Sequence, residues 1–87
     1  MMDLNSIPKL APGCRLHPTE EMLLVPEGAL NLTGPTRDIL LRIDGSRNVM
    51  TIAEDLCQQY AGADITDMQT DILSLLDRMQ QRGFIRT

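Results

Sequence analysis

Hydrophobic and polar positions alternate in short runs over the first third of the chain and then change to helical spacing. Cys14 and Leu16 alternate with Arg15 and His17, and Pro18 closes the run, as a short strand would. Met22-Leu23-Leu24-Val25 reads as a buried strand, ended by Pro26-Glu27-Gly28, a turn in which glycine supplies positive φ. Ala29 to Leu32 alternates again, with Leu30 and Leu32 on one face and Asn31 on the other. Three short runs joined by tight turns predict an antiparallel meander. Ahead of them, residues 1–12 carry two prolines and no period, which predicts an extended N-terminal arm before a single domain over residues 13–87.

Beyond Thr33 the period becomes helical. Thr36, Ile39, Leu40 and Ile43 share a face, with Thr33 as the expected N-cap and Pro35 in the tolerated first turn. Asp44-Gly45 stops this helix. Asn48 is placed to cap a second one, whose stripe Val49, Ile52, Ala53, Leu56, Cys57 and Tyr60 is the clearest in the chain. Thr66 and Gln69 form a capping-box pattern for a third helix, ended near Arg82 by Gly83, with Phe84-Ile85 as an apolar tail or last short strand. Three strands followed by three helices predict an α+β domain. Two short helices and a longer third, with strands attached, make it winged helix-turn-helix-like.

Composition narrows the function. The 87 residues are 43% hydrophobic and 23% charged, as in an ordered domain. One Phe, one Tyr and no Trp mean an aliphatic core with a thin stability margin. A net charge of −4 argues against a phosphate-backbone binder. No apolar run approaches the roughly 20 residues of a membrane span, and no signal peptide opens the chain, so the expected location is cytoplasmic, with no membrane partner. Cys14 and Cys57 lack metal-site spacing, and the lone His17 has no nucleophile set around it. No enzyme activity and no metal or cofactor is therefore expected. No serine lies in the Asp-Ser-Leu context of an acidic carrier protein.

Two surfaces stand out. The third helix is apolar at Met68, Ile72, Leu73, Leu75, Leu76 and Met79, an arc wider than one core-facing stripe. Either it is fully buried in a small dimer or one edge of it lines a groove, and the chain is accordingly a monomer or a homodimer. The third strand-like run, Ala29 to Leu32, is short and uncharged, as an edge strand that accepts an extended peptide would be. The other reading is a small winged-helix DNA-binding regulator. Against it, the expected recognition helix carries Asp67, Asp71 and Asp77 beside Arg78 and Arg82, which the major groove would repel. No nucleic-acid partner is expected.

Several short strings occur in a distinctive order: Pro8-x-Leu10-x-x-Gly13-x-Arg15-Leu16, Leu23-Leu24-Val25-Pro26-Glu27-Gly28, Ile39-Leu40 and then Asp44-Gly45. Val49-x-x-Ile52-x-x-x-Leu56, Asp71-Ile72-x-x-Leu75-Leu76 and Arg82-Gly83-x-Ile85 follow. Together they resemble the pyrroloquinoline quinone (PQQ) biosynthesis protein D (PqqD) family from Pro8 to Ile85. One departure is visible: the family commonly has Leu-Asn, with Ala three residues after the Asn, where this chain has Leu32-Thr33 and Thr36. The resemblance implies a non-catalytic peptide chaperone, similar to the precursor recognition elements of ribosomally made, post-translationally modified peptides (RiPPs). It would hold the precursor peptide PqqA in a groove between the third strand and third helix and present it to the radical S-adenosylmethionine (SAM) enzyme PqqE. Mapped onto this chain, the implied contacts are Ala29, Leu30, Asn31 and Leu32 for strand addition, with Met68, Asp71, Ile72, Leu75, Arg78 and Met79 along the helix.

Overall fold

Four consecutive apolar residues and a two-residue turn fold the chain back on itself as a hairpin. In the computed structural model, which describes residues 2–87, Met22–Val25 (β3) pairs antiparallel with Gly28–Asn31 (β4) across Pro26-Glu27. Arg15–Leu16 (β2) adds to the other side of β3, giving the sheet order β2-β3-β4. Leu23 is fully buried, and its cross-strand neighbours Leu16 and Leu30 stand on the same face, packed against the core. Gly13 lies beside the hairpin turn at φ +84°, and a Cβ there would sit 3.0 Å from Pro26 Cγ, so only glycine fits this approach without strain.

The β2–β3 loop is fastened from the helical half. The Arg37 guanidinium donates to the carbonyls of His17 at 2.8 Å, Glu20 at 3.0 Å and Pro18 at 3.2 Å. His17 Nδ1 in turn accepts from the backbone N–H groups of Thr19 and Glu20. His17 thus organises a loop.

Three helices follow: Thr36–Leu41 (α1), Val49–Gln59 (α2) and Ile65–Gln81 (α3), and the chain ends on Ile85–Arg86 (β5). The three-stranded meander, the three helices after it and the α+β class are those that the hydrophobic pattern predicts; the strand Lys9–Leu10 (β1), in the segment expected as an extended arm, is not. Two expected caps are corrected. Thr33 makes no side-chain cap; α1 starts after Pro35, with the Thr36 N–H on the Thr33 carbonyl at 3.3 Å. The N-cap of α3 is Asp64, whose carboxylate accepts from the N–H groups of Thr66 and Asp67 at 2.8 and 3.1 Å. A carboxylate there also faces the positive end of the helix dipole, which a threonine hydroxyl does not exploit.

Asn48 caps α2 as expected, accepting from the Thr51 N–H at 2.8 Å. The preceding N–H groups of α2 are satisfied by the start of the chain: Val49 donates to Ser6 O and Met50 to Leu4 O, both at 3.1 Å. Residues 2–12 are joined to the domain in two further ways. Lys9–Leu10 (β1) pairs antiparallel with β5, and Met2 and Pro8 are buried.

The core is an aliphatic layer between α2 and α3, closed by the sheet. Ile52 and Leu56 meet Ile72 and Leu76, with Leu23, Leu40, Val49 and Ile85 around them, all essentially inaccessible to water. Gly83 ends α3 as the sequence predicts. At φ +84° it lets its own N–H reach Gln80 O and the Phe84 N–H reach Met79 O, both at 3.0 Å. That reversal delivers Ile85 into the core. Among the described residues no helix is long and apolar enough to cross a membrane.

The cap assignment separates two variants. Asp64→Ala should cost about 1 kcal/mol in urea unfolding, whereas Thr66→Ala, at the position the sequence pattern favoured, should change stability by less than about 0.5 kcal/mol.

Candidate functional site

The backbone of β4 is paired on one side only, because β4 is the last strand of its sheet. The parity of that pairing decides which groups remain open. Beyond the strand the Leu32 N–H donates to Glu21 O at 2.8 Å, so Leu30 and Gly28, two and four residues back, also face β3. The N–H and C=O groups of Ala29 and Asn31 therefore point outward. Both residues are exposed, while Leu30 turns its half-buried side chain to the core.

Directly after β4 the chain turns through Thr33-Gly34-Pro35-Thr36 into α1, with Gly34 at φ +57°. This corner faces α3 across two adjoining hollows. One, of about 330 Å³, lies between the corner with Ile39 and the α3 residues Asp71, Ser74, Leu75 and Arg78. The other, of about 390 Å³, is more apolar and lies between Gly34, Pro35 and Ile39 on one side and Tyr60, Met68 and Asp71 on the other. Asp71 stands at the seam of the two.

Tyr60 owes its position to α1. Its hydroxyl donates to the Asp38 carboxylate, which also accepts from Gln59 Nε2 at 3.5 Å, and Arg42 reaches both the Asp38 carbonyl and Gln59 Oε1. The Asp38 hydrogen bond, followed by partial burial, holds the Tyr60 hydroxyl pKa above its ordinary value. On α3, Arg78 donates through Nε to Ser74 O at 3.3 Å. Among the described residues the ion pairs are those of Arg47 with Asp44 and Asp55, so Asp71 and Arg78 face the hollows with unpaired charges.

Of the residues proposed from the sequence, Met68, Asp71, Leu75 and Arg78 come together along the hollows, and Ala29 and Asn31 lie on the open strand edge. Leu32, Ile72 and Met79 do not. They are core residues, at 7%, 0% and 5% exposure, and line neither hollow. The reason is angular. At about 100° per residue, Ile72, Leu76 and Met79 fall on one line of α3, and Met68, Leu75, Asp71 and Arg78 follow on one flank. Leu73 lies on the opposite flank, where it meets Met2 beside a third hollow of about 240 Å³. The sequence reading missed Thr33, Gly34, Pro35, Ile39, Tyr60 and Ser74. The Gly-Pro turn was the available signal for the corner; Tyr60 was hidden because it completes the apolar stripe of α2.

Comparison with known proteins places this geometry. The sequence model of the family described as Coenzyme PQQ synthesis protein D (PqqD) matches residues 20–85, most of the chain. The chain belongs to the PqqD family. It is 30% identical over 86 residues to a PqqA binding protein of Xanthomonas oryzae pv. oryzae, covering 94% of this chain and 92% of that one. It is 31% identical over 88 residues to a PqqA binding protein of Stutzerimonas stutzeri, covering 97% and 94%. Among solved structures it resembles the PqqD truncation of Methylobacterium extorquens PqqCD, solved by solution NMR and described as a functional, stand-alone RiPP recognition element. The TM-score is 0.85 at 28% identity, covering 100% of this chain and 96% of that one.

The placement of α3 makes two expectations. Ile72→Ala should lower unfolding free energy by about 2–5 kcal/mol, as a core cavity does, while Arg78→Gln stays within about 0.5 kcal/mol of wild type. In a pH titration of tyrosine absorbance, which reads Tyr60 alone because the chain has one tyrosine, Asp38→Asn should move phenolate formation to lower pH.

Proposed function

We propose that this PqqD-family chain is a non-catalytic peptide chaperone of PQQ biosynthesis that binds the precursor peptide PqqA by strand addition to β4. The single observation that carries the reading is the open edge: two outward N–H and two outward C=O groups at Ala29 and Asn31, with side-chain hollows beside the end of the same strand. An extended peptide completes the ladder there. Each such bond contributes only about 0.5–1.5 kcal/mol net, and ordering a flexible peptide costs several kcal/mol. Affinity and sequence preference therefore come from side chains entering the hollows along Met68, Asp71, Leu75 and Arg78. The names of the Xanthomonas and Stutzerimonas relatives support the choice of peptide.

In this reading the chain supplies recognition and leaves the chemistry to an enzyme. It holds PqqA in the cytoplasm and presents it to the radical SAM enzyme PqqE. The outer face of the sheet remains uncovered while the peptide is bound, which leaves room for an enzyme to engage the same complex.

The test is a titration of isotope-labelled chain with PqqA, followed by backbone NMR, beside the variant Asn31→Pro. Proline at residue 31 removes an outward N–H and leaves the β3–β4 ladder intact, so the fold should keep its stability. The expected result is saturable binding that shifts residues 28–31 and 68–78, weakened about tenfold or more by Asn31→Pro. Shifts confined to other surfaces, or equal affinity for the proline variant, would overturn strand addition. Retention of duplex DNA at low salt would favour the winged-helix regulator instead.

A further inference from the structure

The two hollows beside α3 differ in chemistry, and the difference lies along one flank of one helix. At the Met68 end the walls are mainly apolar, Pro35, Ile39 and the Tyr60 ring, with the Asp71 carboxylate at the edge. At the other end Arg78 presents its guanidinium with only Nε engaged, by Ser74 O. Asp71 stands between the two with no hydrogen bond or ion pair of its own among the described residues.

We infer that this flank reads the bound peptide as a spaced pair, an apolar side chain beside Tyr60 and an acidic side chain beside Arg78, four residues apart. The inference rests on the strand-addition reading and adds a sequence rule to it. The spacing follows from taking the added strand to run along α3. Met68 and Arg78 are ten residues apart on α3, about 15 Å at 1.5 Å per residue. An extended peptide advances about 3.3 Å per residue and returns a side chain to the same face every second residue. Four residues span about 13 Å and keep both side chains on the α3 face. Two residues fall well short, and odd spacings turn one side chain away.

The charges also set direction. A carboxylate laid in the Tyr60 hollow would meet Asp71 and lose hydration without a counter-charge. The same carboxylate beside Arg78 gains a charge-assisted hydrogen bond. Reversing the peptide would place its acid against Asp71, so a single register and orientation is favoured. Tyr60 contributes as a positioned wall. The Asp38 carboxylate holds its hydroxyl, which fixes the ring as one wall of the hollow.

The experiment is an alanine scan of PqqA against the wild-type chain and Arg78→Glu, with affinity read by calorimetry. A second readout is the fluorine NMR signal of chain grown with fluorotyrosine, which reports Tyr60 alone. Two positions four apart, one apolar and one acidic, should each weaken binding about tenfold when changed to Ala. Arg78→Glu should weaken the parent peptide by a similar factor, and a peptide with Lys at the acidic position should restore affinity for that variant to within about threefold of the original. The fluorine signal should move with the parent peptide and stay in place with the peptide lacking the apolar residue. A flat scan, a sensitive pair at another spacing, or failure of the charge swap would overturn the inference while Asn31→Pro continues to report on strand addition. If the wild-type chain binds no PqqA, both readings fall together.

Discussion

The rotation of α3 about its own axis is the constraint on which the rest depends. Ile72, Leu76 and Met79 form one line, and that line is buried against α2, closed by Leu23 and Ile85. With one Phe and one Tyr in the chain, these aliphatic contacts are the main source of burial, so α3 cannot turn without losing several kcal/mol of core packing. Once the line is buried, the flanks are determined. Met68, Asp71, Leu75 and Arg78 face the corner after β4, and Leu73 faces Met2. The wide apolar arc of α3 thus has three separate partners: the core, the hollows and the start of the chain.

A small core of this kind needs its ends secured. The N-terminal segment supplies carbonyl acceptors to the first N–H groups of α2, and β1 pairs with β5. Arg37 ties the β2–β3 loop to α1 through three carbonyls, which steadies one end of the sheet. The open edge is accordingly presented on a rigid support. Its shortness, four residues, also limits unwanted pairing with other strands. In the proposed role the exposed backbone is a recognition surface, and brevity keeps it selective.

Features set by neighbours in sequence were legible. Pro26-Glu27-Gly28 marks a hairpin, Asn48 a helix start and Gly83 a helix stop, each through local backbone chemistry that needs no tertiary context. The cap of α3 was displaced by two residues because Asp64 and Thr66 are both good caps, and the choice depends on where the dipole is better met. Pairing of Lys9–Leu10 with Ile85–Arg86 was out of reach, since two-residue strands from opposite ends of the chain carry no periodic signal. For the candidate site, spacing singled out the helix that lines the hollows and the strand that carries the open edge. It could not separate Ile72 and Met79 from Leu75, which lie within about 60° of one another around α3. That separation requires knowing where α2 packs. The corner at Thr33–Thr36 appeared as a turn, and its role as a wall emerges only when α3 lies opposite.

Strand parity at β4 is the account's most exposed claim, because it assigns opposite roles to adjacent residues. Amide hydrogen exchange on the chain with and without saturating PqqA tests it residue by residue. The account predicts that the Ala29 and Asn31 amides, open to water in the free chain, slow by an order of magnitude or more in the complex, while Leu30, already paired to β3, changes no more than the global stability does. Unchanged exchange at Ala29 and Asn31 in a chain shown to be saturated with peptide would contradict it.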